Sequence, residues 1–413
     1  MTKITVDRLR RGMVLSSDVV DRSGLKLLPS GTVITDHYMQ SLREWGIYQV
    51  EVVDRQDRGQ GQGDDMISRG IKVAKKFSPL PMDDPLVSYL YDRALKRPVD
   101  PTKGESFISR PVGSRGKGIP SYLSVMQLLE SHPDLVSLPD VYYRIVECLK
   151  SPISSSSDLA AVVGMDTNLT ARLLRLVNSP VYSPSSPVNT VARAITLLGA
   201  KQLSTLALGV SVISIFDDLS PEYLTMEEFW RHSLATAIIA KLIAKDLKLD
   251  QELLFTGGTL HDLGRLIMVE RMPFQMEAAI YLSYSKQTPL YEAEREAVGF
   301  DHGRVGGKLL KMWGIPDPLQ SIVRFHHNPA MAKGLELEAN VIALSDMIAI
   351  ALDIGTSGSK VMPPMKFSGK IAPWLSPEHL DRWIDQAESQ IDGAMEFFSF
   401  GSNRPSQTHK PLV

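Results

Sequence analysis

Apolar residues recur at the spacing of one helical face through most of the chain. From residue 123 to about 399 nearly every stretch between turn signals carries such a stripe, which predicts a domain of short packed helices. Residues 139–149, 157–163, 168–177, 191–198 and 201–216 read as helices, with Ser157 and Asp166-Thr167 as caps in front and Gly199 behind. Residues 253–269 are mostly Leu, Ile, Val, Phe, Met, Thr and Gly, the pattern of a largely buried helix. Residues 377–398 read as a last amphipathic helix with Leu380, Ile384, Ala387 and Ile391 in register.

The first 54 residues have a different rhythm. Short β-like runs at 4–6, 13–15 and 25–34 are broken by Gly12, Gly24, Pro29 and Gly31. A helix from an Asp36 cap to Trp45, closed by Gly46, should precede a last strand at 49–53. Residues 1–54 are therefore expected to form a small N-terminal α+β module. Residues 55–122 read as a linker with short amphipathic helices. Ile67, Ile71 and Ala74 share a face of the first, and Val87, Leu90, Tyr91 and Ala94 share a face of the second. Residues 400–413 read as a disordered tail. The fold class is mainly all-α with a small α+β module in front.

Composition narrows the function. A chain of 413 residues with 43% hydrophobic content suits two to three globular domains. The formal net charge of −2 argues against a general commitment to nucleic acid or an anionic membrane. Between Arg69 and Lys117 eleven Lys and Arg face five Asp and Glu, but that excess is spread over nearly the whole linker without interleaved aromatics, so it reads as solvated. Residues 157–178 have the outline of a helix-turn-helix, yet Leu169, Leu173, Leu174 and Val177 with only Arg172 and Arg175 point to packing. The single cysteine, Cys148, suits a reducing compartment, and the start shows no secretory apolar run. The longest apolar stretch, 206–216, falls short of the roughly 20 residues of a membrane helix. A cytoplasmic protein is expected.

Candidate chemistry concentrates in one part of the chain. Five of the nine histidines lie between residues 232 and 327. Glu228 and His232 stand four apart and share a helix face. His261-Asp262 sits inside the buried run 253–269, where an ionised carboxylate is costly without a cation or strong partner. Asp301-His302 opens a further helix, His326-His327 ends another before Asn328-Pro329, and Asp346 interrupts an apolar helix at 341–352. Neutral imidazoles and carboxylates suit Zn, Mn or Fe, and a pair of ions requires about this many ligands. Each histidine taken singly could be a hydrogen-bonded core residue; His37, His379 and His409 read as solvated.

The ordered set is more specific than its members. His232, His261-Asp262, His302, His326-His327 and Asp346 on successive helices resemble the HD superfamily of metal-dependent phosphohydrolases. Within it the chain is most similar to the HDOD family, the HD-related output domain of bacterial signalling proteins. The matching stretches include Leu138-Pro139, LTARLLRLVNS at 169–179, Ala194 to Gly199, Phe229-Trp230-Arg231-His232-Ser233, Leu260-His261-Asp262-Leu263-Gly264-Arg265, Glu294-Arg295, Gly299-Phe300-Asp301-His302, Trp313-Gly314-Ile315-Pro316 and His326-His327-Asn328-Pro329. They place an HD-like helical domain at 123–399 with its motif core at 130–330.

The resemblance implies a metal site at Glu228, His232, His261, Asp262, His302, His326, His327 and Asp346, with Glu228 at an extra ligand position of some HD-GYP phosphodiesterases. Two departures bear on activity. Asn328-Pro329-Ala330-Met331 stands where the HD-GYP signature would continue, and Arg265 replaces the lysine of catalytic relatives. Arginine grips phosphate but does not donate a proton near neutral pH. The favoured expectation is a bacterial signal-transduction output module that binds one or two divalent ions (Fe, Mn or Zn) and a signalling protein partner or nucleotide ligand, without turnover. The alternative is a metal-dependent phosphohydrolase acting on a nucleotide or cyclic dinucleotide, with Arg265 as its phosphate contact.

Overall fold

The computed structural model describes residues 2–10, 13, 15–20, 26–28, 34, 39, 42–43, 46–52, 62–97, 124–130, 140–151, 153–214, 224–364 and 371–395. The Asp36 cap, the linker segments 55–61 and 98–122, and the tail at 400–413 lie outside the described residues.

Alternation of apolar and polar residues builds the first module. β1 (Thr2–Thr5) pairs antiparallel with β4 (Gln49–Val52), Thr2 opposite Val52 and Thr5 opposite Gln49. β2 (Val19–Val20) and β3 (Lys26–Leu28) form a second short ladder. Val6, Leu9, Leu15, Val19, Leu28, Ile34, Leu42, Val50 and Val52 fill a small core of their own. Gly46 turns the chain into β4 at φ +70°, a conformation that favours glycine, as its place in the sequence predicted.

Among the described residues, the regular elements that follow are all helices. α1 (Gln62–Phe77) and α2 (Pro85–Lys96) form a hairpin in which Asp84 caps α2 by accepting from Leu86 N at 2.9 Å and Val87 N at 3.2 Å. This pair falls in the stretch read as linker, yet Val73, Phe77, Leu86, Val87, Leu90 and Tyr91 enter the main hydrophobic core. Their apolar faces are buried in that core, as the hydrophobic stripe of an amphipathic helix requires. Lys76, only 5% exposed, donates to Ile350 O at 2.8 Å and Asp353 Oδ1 at 2.5 Å, and its own carbonyl accepts from Met362 N at 2.9 Å.

α3 (Val125–Glu130), α4 (Asp140–Lys150), α5 (Ser156–Gly164), α6 (Thr167–Asn178), α7 (Val191–Leu198) and α8 (Ala200–Ser214) form the first half of the domain. The cap of α5 is Ser155, two residues before the expected Ser157. Ser155 has Asp158 three residues on, so each side chain bonds the other's backbone N–H; Ser157 has only Ala160 there. Asp166 and Gly199 cap as expected. On α6, Leu169, Leu173, Leu176, Val177 and even Arg172 are buried, so the helix packs inward.

The second half surrounds α9 (Met226–Leu247), whose residues from Phe229 to Ala240 are buried except Arg231. It packs against α10 (Gln251–Leu260), α16 (Glu336–Ala351) and α17 (Pro377–Met395), so apolar residues occupy every side. Between them lie α11 (Leu263–Arg271), α12 (Pro273–Lys286), α13 (Leu290–Val298), α14 (His302–Met312) and α15 (Asp317–Phe325). The helix expected over 253–269 is thus two helices. Asp262, at φ −97° and ψ 5°, leaves helical geometry, and a tight turn from Arg265 N to Asp262 O at 2.8 Å starts α11. Among the described residues no helix is long and apolar enough to cross a membrane.

Candidate metal centre

The break between α10 and α11 puts His261 and Asp262 at the middle of the domain, where both are buried. Two close helix approaches bring their neighbours in. A Cβ on Gly258 would lie 2.6 Å from Ala237 Cα, so glycine allows α10 to lie against α9 and His261 to face His232. A Cβ on Gly264 would lie 2.1 Å from the His302 carbonyl, so glycine is equally required where α11 meets α14.

Seven of the eight expected ligands gather into two groups. His232, His261, Asp262 and Asp346 form one; His302, His326 and His327 form the other. His232 Nε2 lies 3.0 Å from Asp346 Oδ1 and 3.6 Å from Asp262 Oδ2, and His261 Nε2 lies 3.2 Å from Asp262 Oδ2. In the second group His302 Nε2 is 3.2 Å from His326 Nε2 and 3.0 Å from His327 Nε2. Asp262 joins the groups, because its Oδ1 lies 2.9 Å from His302 Nε2. Glu228 is the exception. It stands at the half-buried start of α9, its carbonyl accepts from Thr356 N at 2.9 Å, and its carboxylate is in neither group.

The hydrogen bonds behind the rings fix which nitrogens face the centre. His261 Nδ1 donates to Gly258 O at 2.7 Å, His326 Nδ1 donates to Val323 O at 2.7 Å, and His302 Nδ1 donates to Glu294 Oε2 at 2.6 Å. Each ring that donates from Nδ1 turns its Nε2 inward, the nitrogen a metal would use. His232 Nε2, His261 Nε2 and Asp346 Oδ1 are buried without a hydrogen bond, although Asp346 is within 3.0 Å of His232. Imidazole nitrogens and carboxylate oxygens crowded together in a buried site are what a cation site requires, and in the second group His302 Nε2 lies within 3.2 Å of both His326 Nε2 and His327 Nε2. The donor set fits a transition-metal ion.

Electrostatics agrees. Burial opposes ionisation of Asp262, but Arg265 and then His261 and His302 hold its carboxyl well below the usual range. Asp346 is likewise held down against burial by the nearby imidazoles of His232 and His261. Burial works against the His261 imidazolium, yet Asp262 and Asp346 outweigh it and raise its pKa to about 10. For His326 burial prevails, helped by His261 and His302, and lowers its pKa to about 3. The centre thus carries two carboxylates whose charge a cation can offset.

Two further side chains complete it. Arg265 donates from Nε to Glu294 Oε1 at 3.0 Å and from Nη1 to Asp262 Oδ2 at 2.9 Å and Ser357 Oγ at 2.6 Å, while Nη2 lies 2.9 Å from His302 Nδ1. Glu294 and Ser357 were absent from the expected set. Glu294 had left a signal, since Leu290, Glu294 and Val298 share one face of α13 at four-residue spacing and that face is buried. Ser357 lies in a loop with no such pattern. Tyr291 stacks on His327 with ring centroids 4.2 Å apart, and His327 is the most exposed of the gathered ligands.

Comparison with known proteins converges on one domain type. The family model of the HDOD domain matches residues 135–329. An uncharacterised protein of Treponema pallidum (strain Nichols) is 24% identical over 224 residues, which cover 53% of this chain and 43% of that protein, so the chain spans under half of its length. The crystal structure of an HDOD domain protein of unknown function from Geobacter sulfurreducens aligns with TM-score 0.51 and 21% identity over 66% of this chain and 100% of its own. A candidate signal transduction protein from Marinobacter aquaeolei VT8 aligns with TM-score 0.51 and 17% identity over 96% of this chain and 95% of its own, a likeness of fold.

Proposed function

Because the chain carries an HDOD domain over residues 135–329, we propose that it is a signal-transduction output module whose buried centre holds one or two divalent transition-metal ions and whose helices pass a conformational signal to a protein partner. The observation that carries this reading is the pair of ligand groups bridged by Asp262. His232, His261, Asp262 and Asp346 would hold one ion, and Asp262, His302, His326 and His327 a second. Iron, manganese or zinc suits such imidazole and carboxylate donors. A bound ion supplies positive charge that ties α9, the α10–α11 turn, α14, the end of α15 and α16 together.

Burial favours regulation over turnover. His261, His302 and His326 are fully buried, and Asp262 and Asp346 nearly so. Arg265, the residue for phosphate contact in a hydrolase, has Nε and Nη1 engaged with Glu294, Asp262 and Ser357, so it would have to release protein partners to grip a phosphate with them. The test is elemental analysis of the purified chain together with a hydrolysis screen on bis(4-nitrophenyl) phosphate and cyclic dinucleotides. Retained or reconstituted metal without hydrolysis is expected. Metal-dependent hydrolysis would replace this reading with the phosphohydrolase one.

A further inference from the structure

Glu294 is a fully buried carboxylate with both oxygens spent. Oε2 accepts from His302 Nδ1 at 2.6 Å and from His302 N at 2.9 Å; Oε1 accepts from Arg265 Nε at 3.0 Å. One side chain on α13 therefore seizes both the backbone and the ring of the first residue of α14. A carboxylate surrounded by an amide N–H and a guanidinium N–H acts as the acceptor toward the ring as well. Nδ1 of the His302 ring is then the donor to Glu294, and Nε2 faces Asp262 Oδ1, His326 and His327.

The other histidines of the centre show what is special here. His261 and His326 are oriented by carbonyls of their own helices, three residues earlier in each case. A first-turn residue such as His302 has no preceding helical turn to offer a carbonyl, so its orientation has to come from another element. Glu294 supplies it across the α13–α14 turn, and its negative charge raises the electron-donating power of the ring beyond what a carbonyl gives.

We propose that Glu294 is the positioning residue that makes His302 a metal ligand, and so selects whether the second group of histidines takes up an ion; this rests on the metal reading above. Glu294→Gln keeps the shape but removes the negative charge behind His302 and puts an amide N–H2 beside either Arg265 Nε or the two His302 donors, so one or two of the three bonds are lost. The test titrates cobalt(II) into metal-free full-length protein and follows both heat and the visible absorption of the ion. The unaltered chain is expected to take two equivalents. In Glu294→Gln the first should bind unchanged and the second about tenfold to a hundredfold more weakly, with its absorption band altered.

An unchanged first equivalent also shows that the variant is folded, which separates positioning from general damage. Should Glu294→Gln alone not fold, the pair Glu294→Gln with Arg265→Met leaves no unpaired guanidinium and is compared with Arg265→Met. Two equivalents of unchanged affinity in the variant would overturn the role of Glu294 while leaving the metal reading intact. Equal weakening of both would reduce it to a structural residue. A single equivalent in the unaltered chain that binds unchanged in Glu294→Gln would remove His302 from the ligands, and no binding at all would overturn the metal reading and this inference together.

Discussion

His302 Nε2 stands 2.9 Å from Asp262 Oδ1, and this one approach joins two clusters of ligands that are otherwise held by different helices. Asp262 reaches the other cluster through Oδ2, 3.2 Å from His261 Nε2. A carboxylate shared in this way predicts an asymmetry among variants. Asp262→Ala should lose metal from both groups, whereas Asp346→Ala should affect only the first. Elemental analysis after reconstitution with manganese, iron or zinc reads the difference. Equal metal content in the two variants would argue against the bridge.

Metal binding should also be linked to protons. In the metal-free protein the His261 pKa of about 10 lies above its ordinary 6.5, so proton binding favours the folded state. That contribution is complete below about pH 6.5 and is lost as pH rises through about 10. A metal needs the same Nε2 bare, so it must displace the proton. Apparent metal affinity is therefore expected to climb with pH up to about 10, with release of about one proton from His261 near pH 7. Calorimetry in buffers of different ionisation enthalpy measures that release. Binding that is independent of buffer and pH would show that His261 carries no proton to displace.

Much of this centre was legible because its chemistry contradicts its surroundings. Asp262 and Asp346 are acids in apolar helices, and His326-His327 precedes a helix-stopping Asn328-Pro329, so each stands out in sequence. What the sequence left without a role is what depends on contacts between distant elements. Glu294 sits 29 residues from Arg265 and does its work across a turn, and Ser357 meets Arg265 from 92 residues away. The helix break at Asp262 was also hidden, since Leu and Gly flank it on both sides with no proline to mark it. Glu228 shows the opposite failure. Its four-residue spacing from His232 is correct, yet the first turn of α9 carries it outside both ligand groups.

The α1–α2 hairpin should be part of the folding unit. Phe77, Val87, Leu90 and Tyr91 are at most 1% exposed and belong to the main core. A fragment that starts at residue 60 should keep the cooperative melt of the helical domain, because the first module has its own core. One that starts at residue 123 should melt at lower temperature or expose apolar surface, each lost large side chain being worth about 1.5–3 kcal/mol. Thermal unfolding by circular dichroism distinguishes them. Identical melts would mean that the hairpin contributes nothing to the domain.

Lys76 makes a finer test of the same contact. Lys76→Met keeps most of the apolar stem but leaves the carbonyls of Ile350 and Ala351 without this donor at the end of α16. The expected loss is about 1–3 kcal/mol, read as a lower urea midpoint with an unchanged slope. Little of it should come from the ion pair to Asp353, whose side chain is 69% exposed, so Asp353→Asn should cost much less than Lys76→Met. Equal costs for the two variants would assign the contact to charge instead of to the carbonyls.

The regulatory and hydrolytic readings part company in the effect of metal on stability and on turnover. Ligands drawn from α9, the α10–α11 turn, α14, the end of α15 and α16 meet only in the folded chain, so an ion that binds them stabilises the native state. The gain grows with the logarithm of free metal over Kd, about 2.7 kcal/mol at a hundredfold excess. His261→Ala should remove most of that dependence, and its Tm in the absence of metal reports separately the cost of the cavity it leaves. A regulatory module predicts a metal-dependent rise in Tm for the unaltered chain, a much smaller one for His261→Ala, and no hydrolysis by either. A hydrolase predicts the same rise together with turnover that vanishes in His261→Ala and falls in Arg265→Ala. Arg265 weighs the outcome toward the first, since its nitrogens already satisfy Asp262, Glu294 and Ser357. Arg265→Ala should therefore lower stability by leaving buried Glu294 without its cation, roughly 3–5 kcal/mol by the usual cost of breaking a buried pair. If metal moves neither Tm nor turnover, the gathered histidines are core residues that hydrogen-bond one another, and both readings fall.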